Sequence, residues 1–184
     1  FLKDEACNPS GSIKDRRAAV SCYYAKQKGY EGVIAATSGN YGAAVASQAN
    51  MRNLKCIILQ ELFDSRGIGQ PEILEKGRKC EAYGAEVLQM TVGPELFYNF
   101  LLVLEETGFF NASLYTPFGI AGIETLGSEI AEQFLKREGK LPDAVVAPAR
   151  EVLARAGERS ELSAEHTVVA LAGATGAGKS SVFN

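Results

Sequence analysis

The chain has 184 residues, 46% of them hydrophobic and 22% charged, which is enough apolar material for a substantial core in one domain. A formal net charge of −3 leaves no electrostatic footprint for nucleic acid or an anionic membrane, and no apolar run has membrane-spanning length. Four scattered cysteines (Cys7, Cys22, Cys56, Cys80) without a C-x-x-C pair, and His166 as the one histidine, argue against a disulfide framework and a zinc site and suit a reducing cytoplasm.

The chain opens at Phe1, already inside a motif, and reads as a fragment. The run Asn8-Pro9-Ser10-Gly11-Ser12-Ile13-Lys14-Asp15-Arg16 reads as a tight loop that delivers one lysine to the first turn of a helix. Pro9 and Gly11 punctuate the loop, and Ser12 can cap the amides that follow. Two readings of Lys14 stand open. It is a surface lysine on an ordinary capped helix, or it is an amine whose pKa the helix macrodipole lowers so that it can attack an aldehyde.

The helix extends over residues 14–28 and stops at Gly29. Residues 33–36 (VIAA) form a short buried strand. Thr37-Ser38-Gly39-Asn40-Tyr41-Gly42 follows as a loop, and residues 43–50 as a small-residue helix. Strand, glycine-rich turn and helix together present amides to an anion, or form a plain capped turn. Residues 54–60 (LKCIILQ) make a second strand whose apolar continuity suits a parallel sheet. A helix over 72–83 ends at Gly84, and a strand covers 85–90. The helix over 94–107 carries Leu96, Phe97, Phe100, Leu101 and Leu104 on one face. A fourth strand with its approach covers 109–116, and Pro117-Phe118-Gly119 form a loop. Ile123, Leu126, Ile130 and Phe134 recur at helical spacing up to Lys136, and a strand occupies 141–147. This alternation predicts an α/β fold with a doubly wound parallel sheet.

The run KDEACNPSGSIKDR, followed by TSGNYG, resembles the two motifs of the fold-type II pyridoxal-phosphate (PLP) enzymes, the group of threonine synthase and cysteine synthase. The resemblance covers residues 1–147 and implies the small domain of that fold plus part of the large one. It implies PLP as cofactor, with Lys14 carrying it and serving as the catalytic proton shuttle. It implies that Asn40 binds the cofactor ring oxygen, and that Thr37, Ser38, Gly39 and Tyr41 bind the substrate carboxylate. The chain is particularly similar to thiolase β subunits of anaerobic ornithine breakdown within this group. That similarity implies an amino-acid substrate, coenzyme A, a smaller α subunit and a homo- or hetero-oligomer. A threonine synthase-like or cysteine synthase-like lyase is the alternative, and an inactive α/β fragment is another.

In that group a strand like DAVVA runs into a glycine-rich loop for the cofactor phosphate. Here Pro148-Ala149-Arg150 begins a different text, and residues 148–184 read as a fused piece. A short charged helix over 151–159 and a strand over 167–172 precede Gly173-Ala174-Thr175-Gly176-Ala177-Gly178-Lys179-Ser180. This G-x-x-x-x-G-K-S run resembles the phosphate loop of dynamin-like or Era-like GTPases. The resemblance implies a Mg-nucleotide phosphate site at Gly173, Gly176, Gly178, Lys179 and Ser180. The tail is expected to add at most to an exposed sheet edge.

Overall fold

The computed structural model describes residues 1–113, 116–146 and 168–172. Its elements run β1 (Leu2–Asp4), a 3-10 turn (Glu5–Cys7), α1 (Lys14–Gln27), β2 (Gly32–Thr37), α2 (Asn40–Asn50), β3 (Lys55–Phe63) and α3 (Pro71–Ala82). Then come β4 (Glu86–Thr91), α4 (Glu95–Thr107), β5 (Phe110–Asn111), α5 (Pro117–Glu138), β6 (Ala144–Val146) and β7 (Val168–Ala172).

Two parallel sheets result. The four-stranded sheet has the order β4-β3-β2-β5, and the three-stranded sheet the order β1-β7-β6. In the larger sheet the chain steps outward from β2 to β3 to β4, then returns to the other side of β2 as β5. The switch point between β2 and β5 opens a crevice at the strands' carboxyl ends.

Side-chain alternation covers both faces of this sheet. Val33, Ala35 and Ile58 join Ala18, Cys22, Val45 and Cys80 in one core, beneath α1, α2 and α3. Ile34 and Leu59 point the other way and meet Leu96 and Phe100 of α4. Ile34, Ile58 and Leu59 are fully buried, and burial of each contributes roughly 1.5–3 kcal/mol. Helices on both faces make the predicted doubly wound architecture.

α5 lies against α1 through glycine. A Cβ at Gly122 would overlap the Arg16 carbonyl and crowd the Arg17 Cα. A third cluster, Ile13, Leu126, Ile130 and Phe134, extends that contact. Helix ends follow local chemistry. Gly108 and Gly139 take left-handed conformations after α4 and α5.

Several expectations need correction. Asn40 is the first residue of α2, not a loop residue, because Gly39 already occupies the N-cap. Pro117-Phe118-Gly119 form the first turn of α5. Thr116 caps them by accepting from the Gly119 amide at 3.2 Å, and Pro117 has no amide that needs a partner. The fourth strand contracts to Phe110–Asn111, where the Asn111 side chain turns back to accept from the Ser113 amide at 2.9 Å. The tail strand β7 is not at an exposed edge. It sits between β1 and β6 and pairs with both in parallel register. The sequence predicts neither β1 nor the 3-10 turn, since three-residue elements carry no readable period. The short helix expected over 151–159, and all of 173–184, lie outside the described residues.

Candidate functional site

The loop before α1 is held from four directions. Gly11 has φ +77°, a left-handed conformation that favours glycine, and its amide closes a turn onto the Asn8 carbonyl at 2.7 Å. The Asp15 carboxylate accepts from the Ser10 amide at 3.0 Å and the Ser10 hydroxyl at 2.5 Å. From α3, Lys79 Nζ donates to the Ser10 carbonyl at 2.6 Å and the Tyr83 hydroxyl donates to the Pro9 carbonyl at 3.0 Å. Ile13, not Ser12, holds the N-cap position of α1, but Ser12 Oγ still accepts from the Lys14 amide at 3.1 Å.

An ion network fixes the same turn of α1 to the rest of the fold. The Arg16 guanidinium grips buried Glu5 with two bonds, at 2.7 and 2.9 Å, and reaches Glu129 of α5 at 2.6 Å. Lys3 Nζ meets the other Glu129 oxygen at 2.5 Å. The Lys3 contact, then Arg16, hold the Glu129 carboxyl at about 2. Glu5 anchors the Asn8 side chain as well, at 2.9 Å. Lys14 thus starts from a backbone with little freedom.

Lys14 is half-buried, and its side chain reaches a cleft of about 550 Å³ at the switch point. That volume suits a small-molecule site. Burial is the main reason its amine lies below the usual lysine range, and the Arg17 charge pushes the same way. The helix dipole expected from the sequence is not among these causes.

Thr37, Ser38, Gly39, Asn40 and Tyr41 line the same cleft. The structure therefore brings together all the residues assigned to the cofactor and the carboxylate, and it separates what each can offer. The Thr37 hydroxyl accepts from the Gly39 amide at 3.0 Å and is spent on the turn. The Tyr41 ring is buried, and its hydroxyl donates to the Ala112 carbonyl. Burial pushes that phenol up to about 12. Tyr41 offers the cleft its amide, not its side chain. The Ser38 side chain is exposed. The amides of Asn40, Tyr41 and Gly42 begin α2 and have no partner within the helix. Free amides at a helix start can take an anion, and Asn40 and Tyr41 line the cleft that Lys14 also lines.

Sequence reasoning missed Glu61, Asn111 and Ser113, which also line the cleft. Glu61 lies near the end of β3, Asn111 ends β5 and Ser113 follows it, and Ser113 Oγ accepts from the Ala36 amide at 3.1 Å to tie the β2 end to the segment after β5. The available signal was polar residues closing apolar strands on either side of β2. The apolar wall comes from α4, where Leu96 and Phe100 are buried while Phe97 and Leu101 stay 67% and 60% exposed at the mouth. Gly173, Gly176, Gly178, Lys179 and Ser180 lie outside the described residues. Among the described residues no helix is long and apolar enough to cross a membrane, and no group of three His, Cys, Asp or Glu residues could hold a metal.

Known proteins resemble this chain in sequence and fold. The β subunit of 2-amino-4-ketopentanoate thiolase from Acetoanaerobium sticklandii is 73% identical over 146 residues, which are 79% of this chain and 31% of that protein. Threonine synthase from Methanocaldococcus jannaschii is 30% identical over 152 residues, 80% of this chain and 34% of that protein. The threonine deaminase of T.th. superposes with a TM-score of 0.66 at 28% identity, covering 92% of this chain and 52% of that one. Maize serine racemase, at 21% identity, shares the fold with a TM-score of 0.64 over 94% of this chain and 50% of its own. The chain spans about a third of the length of the curated relatives it matches. The family model described as pyridoxal-phosphate dependent enzyme matches residues 1–178, and the chain belongs to that family.

Proposed function

We propose that this chain forms the lysine and carboxylate half of a PLP-dependent site that acts on an amino acid. The observation that carries the reading is the meeting of Lys14 and the α2 amides in one cleft. The residues present fit the cofactor. A desolvated amine suits an aldehyde partner, and the Asn40 side chain lines the cleft where a ring oxygen needs a donor. When bound, PLP supplies an electron sink for charge developed at the substrate α-carbon.

The chain's own residues do the remainder. Lys14 Nζ carries the cofactor and moves the proton at the substrate α-carbon. The Asn40 and Tyr41 amides, with the Ser38 hydroxyl, bind and orient the α-carboxylate. Leu96 and Phe100 exclude water from one side of the cleft. The Gly39 amide is already held by Thr37, so it is not offered to the carboxylate.

The finer reading follows the 73% identical relative. The substrate is then a 2-amino-4-oxo acid cleaved with coenzyme A, and a smaller α subunit completes the oligomer. The alternative is a threonine synthase-like lyase, supported by the 30% identical relative. The Mg-nucleotide reading of Gly173, Gly176, Gly178, Lys179 and Ser180 rests on the motif alone. The family match through residue 178 favours those glycines as a cradle for the cofactor phosphate. Titration with labelled GTP and ATP decides this. Guanine-selective, Mg²⁺-dependent binding lost in Lys179→Ala would restore the nucleotide reading.

Addition of PLP to the chain tests the main proposal. It should produce a visible absorbance band that Lys14→Ala abolishes and Asn40→Ala shifts in its pH profile. A band that survives Lys14→Ala unchanged would sink the assignment.

A further inference from the structure

Glu61 belongs to no motif, yet it lines the cleft that Lys14, Asn40 and Tyr41 also line. Along β3 the face it shares is apolar. Leu59 is fully buried against Leu96 and Phe100, and Ile57 packs on the same cluster. The opposite face carries Gln60, whose amide nitrogen donates to the Ile73 carbonyl of α3 at 2.7 Å. A carboxylate therefore stands where the strand pattern calls for another aliphatic residue.

The backbone is irregular at the same place. The β3–β4 register shifts between Glu61 and Phe63, which face Met90 and Thr91, so Leu62 is an extra residue. Bulges of this kind re-aim side chains at the rims of sheets. Outside contacts hold this one, because the Leu62 carbonyl accepts from the Gln70 amide at 3.0 Å and the Phe63 carbonyl from the Val92 amide at 2.8 Å. Glu61 is half-buried, and no hydrogen bond or ion pair engages it among the described residues.

The cleft thus has three chemically distinct parts. The α2 amides take an anion, the α4 wall takes apolar surface, and Glu61 presents a negative charge elsewhere on the lining. We infer that Glu61 sets the substrate range: the cleft accepts amino acids with a neutral or hydrogen-bond-donating far end and rejects those with a second anionic group. This inference rests on the reading of the cleft as an amino-acid site. Its physical basis is selection by repulsion, in which an unpaired like charge raises the cost of the wrong ligand. A neutral 4-oxo side chain satisfies the rule, and a phosphorylated or dicarboxylic amino acid does not.

Isosteric ligand pairs isolate the charge. The ¹⁵N-labelled chain is titrated with glutamine against glutamate and with asparagine against aspartate, and the Ser38, Asn40 and Tyr41 amide shifts are followed by NMR. In wild type the neutral member of each pair should bind about tenfold more tightly or better. In Glu61→Gln the gap should shrink to about threefold or less, through tighter binding of glutamate and aspartate. Glu61→Ala, checked for folding by circular dichroism, should shrink it likewise. Equal affinities in wild type, an unchanged gap in both variants, or no shift at those amides with any of the four ligands would overturn the inference. The cofactor reading fails on a separate result, the absence of PLP attachment at Lys14, which this titration does not require.

Discussion

The two flanks of the cleft are built by different means. On the Lys14 flank, side chains from α1, α3, α5 and the 3-10 turn converge on nine residues of loop and helix start. On the α2 flank the turn is shaped by the Thr37 hydroxyl and one Ser113 bond, while Ser38 and the first amides of α2 are left to face the cleft. The difference separates two tasks. An amine that must meet a reacting atom needs its position set before anything binds. Groups that must bind an anion need donors not already used by the protein. The first flank gains stability from its contacts, and the second holds unsatisfied donors ready for a ligand.

The largest effect should follow from breaking the first flank at Arg16. Arg16→Ala leaves the buried Glu5 carboxylate without its ion-pair partner, a loss on the order of 3–5 kcal/mol. Urea unfolding should show it as a lower midpoint. An unchanged midpoint would mean that the network does not hold α1.

A smaller effect is expected at Lys79. Lys79→Met removes the bond to the Ser10 carbonyl while keeping the aliphatic stem, at about 1–2 kcal/mol. Amide hydrogen exchange should rise at Ser10 and Gly11 and stay level at α2. Equal acceleration on both flanks would erase the proposed division.

These contacts also mark the limit of what the sequence shows. Lys14 at a helix start and the TSGNYG turn were legible because caps and glycines act within a few residues. The Glu5–Arg16–Glu129 network was not, since Arg16 and Glu129 are brought together only when α5 crosses α1 at Gly122. Glu61, Asn111 and Ser113 were missed for a related reason. Their convergence depends on the order β4-β3-β2-β5, and composition does not state which strand returns beside β2. Pro117 read as a loop residue because its role depends on the Thr116 cap before it. Helix limits elsewhere shifted by a residue or so, as at α3, where Tyr83 is the cap and not the last turn.

Acid should weaken the first flank gradually. The Glu129 carboxyl is lowered from its ordinary 4.5 to about 2 in the folded state. A depressed carboxyl contributes stability above its unfolded value and loses it as pH falls through the folded one. The melting temperature of wild type should therefore approach that of Glu129→Gln as pH drops from about 5 towards about 2. The group is 34% exposed, so added salt should reduce the difference at every pH. A gap that widens in acid would contradict the sign.

The smallest stability change belongs to the second flank. Ser38→Ala should alter unfolding by less than about 0.5 kcal/mol, because the side chain is exposed. The same variant should weaken amino-acid binding to the cleft, read by the Asn40 amide shift. A large loss of stability with binding intact would reverse the roles assigned to the two flanks.

The central claim is that Lys14 is the amine this fold positions for the cofactor. Incubation with PLP, borohydride reduction and peptide mass mapping test it most directly. One dominant reduced adduct should form on Lys14, favoured over exposed lysines as the pH is lowered towards neutrality, because burial keeps more of its amine unprotonated. An adduct on Lys26 or Lys3 in preference to Lys14, or uniform labelling of all lysines, would contradict it.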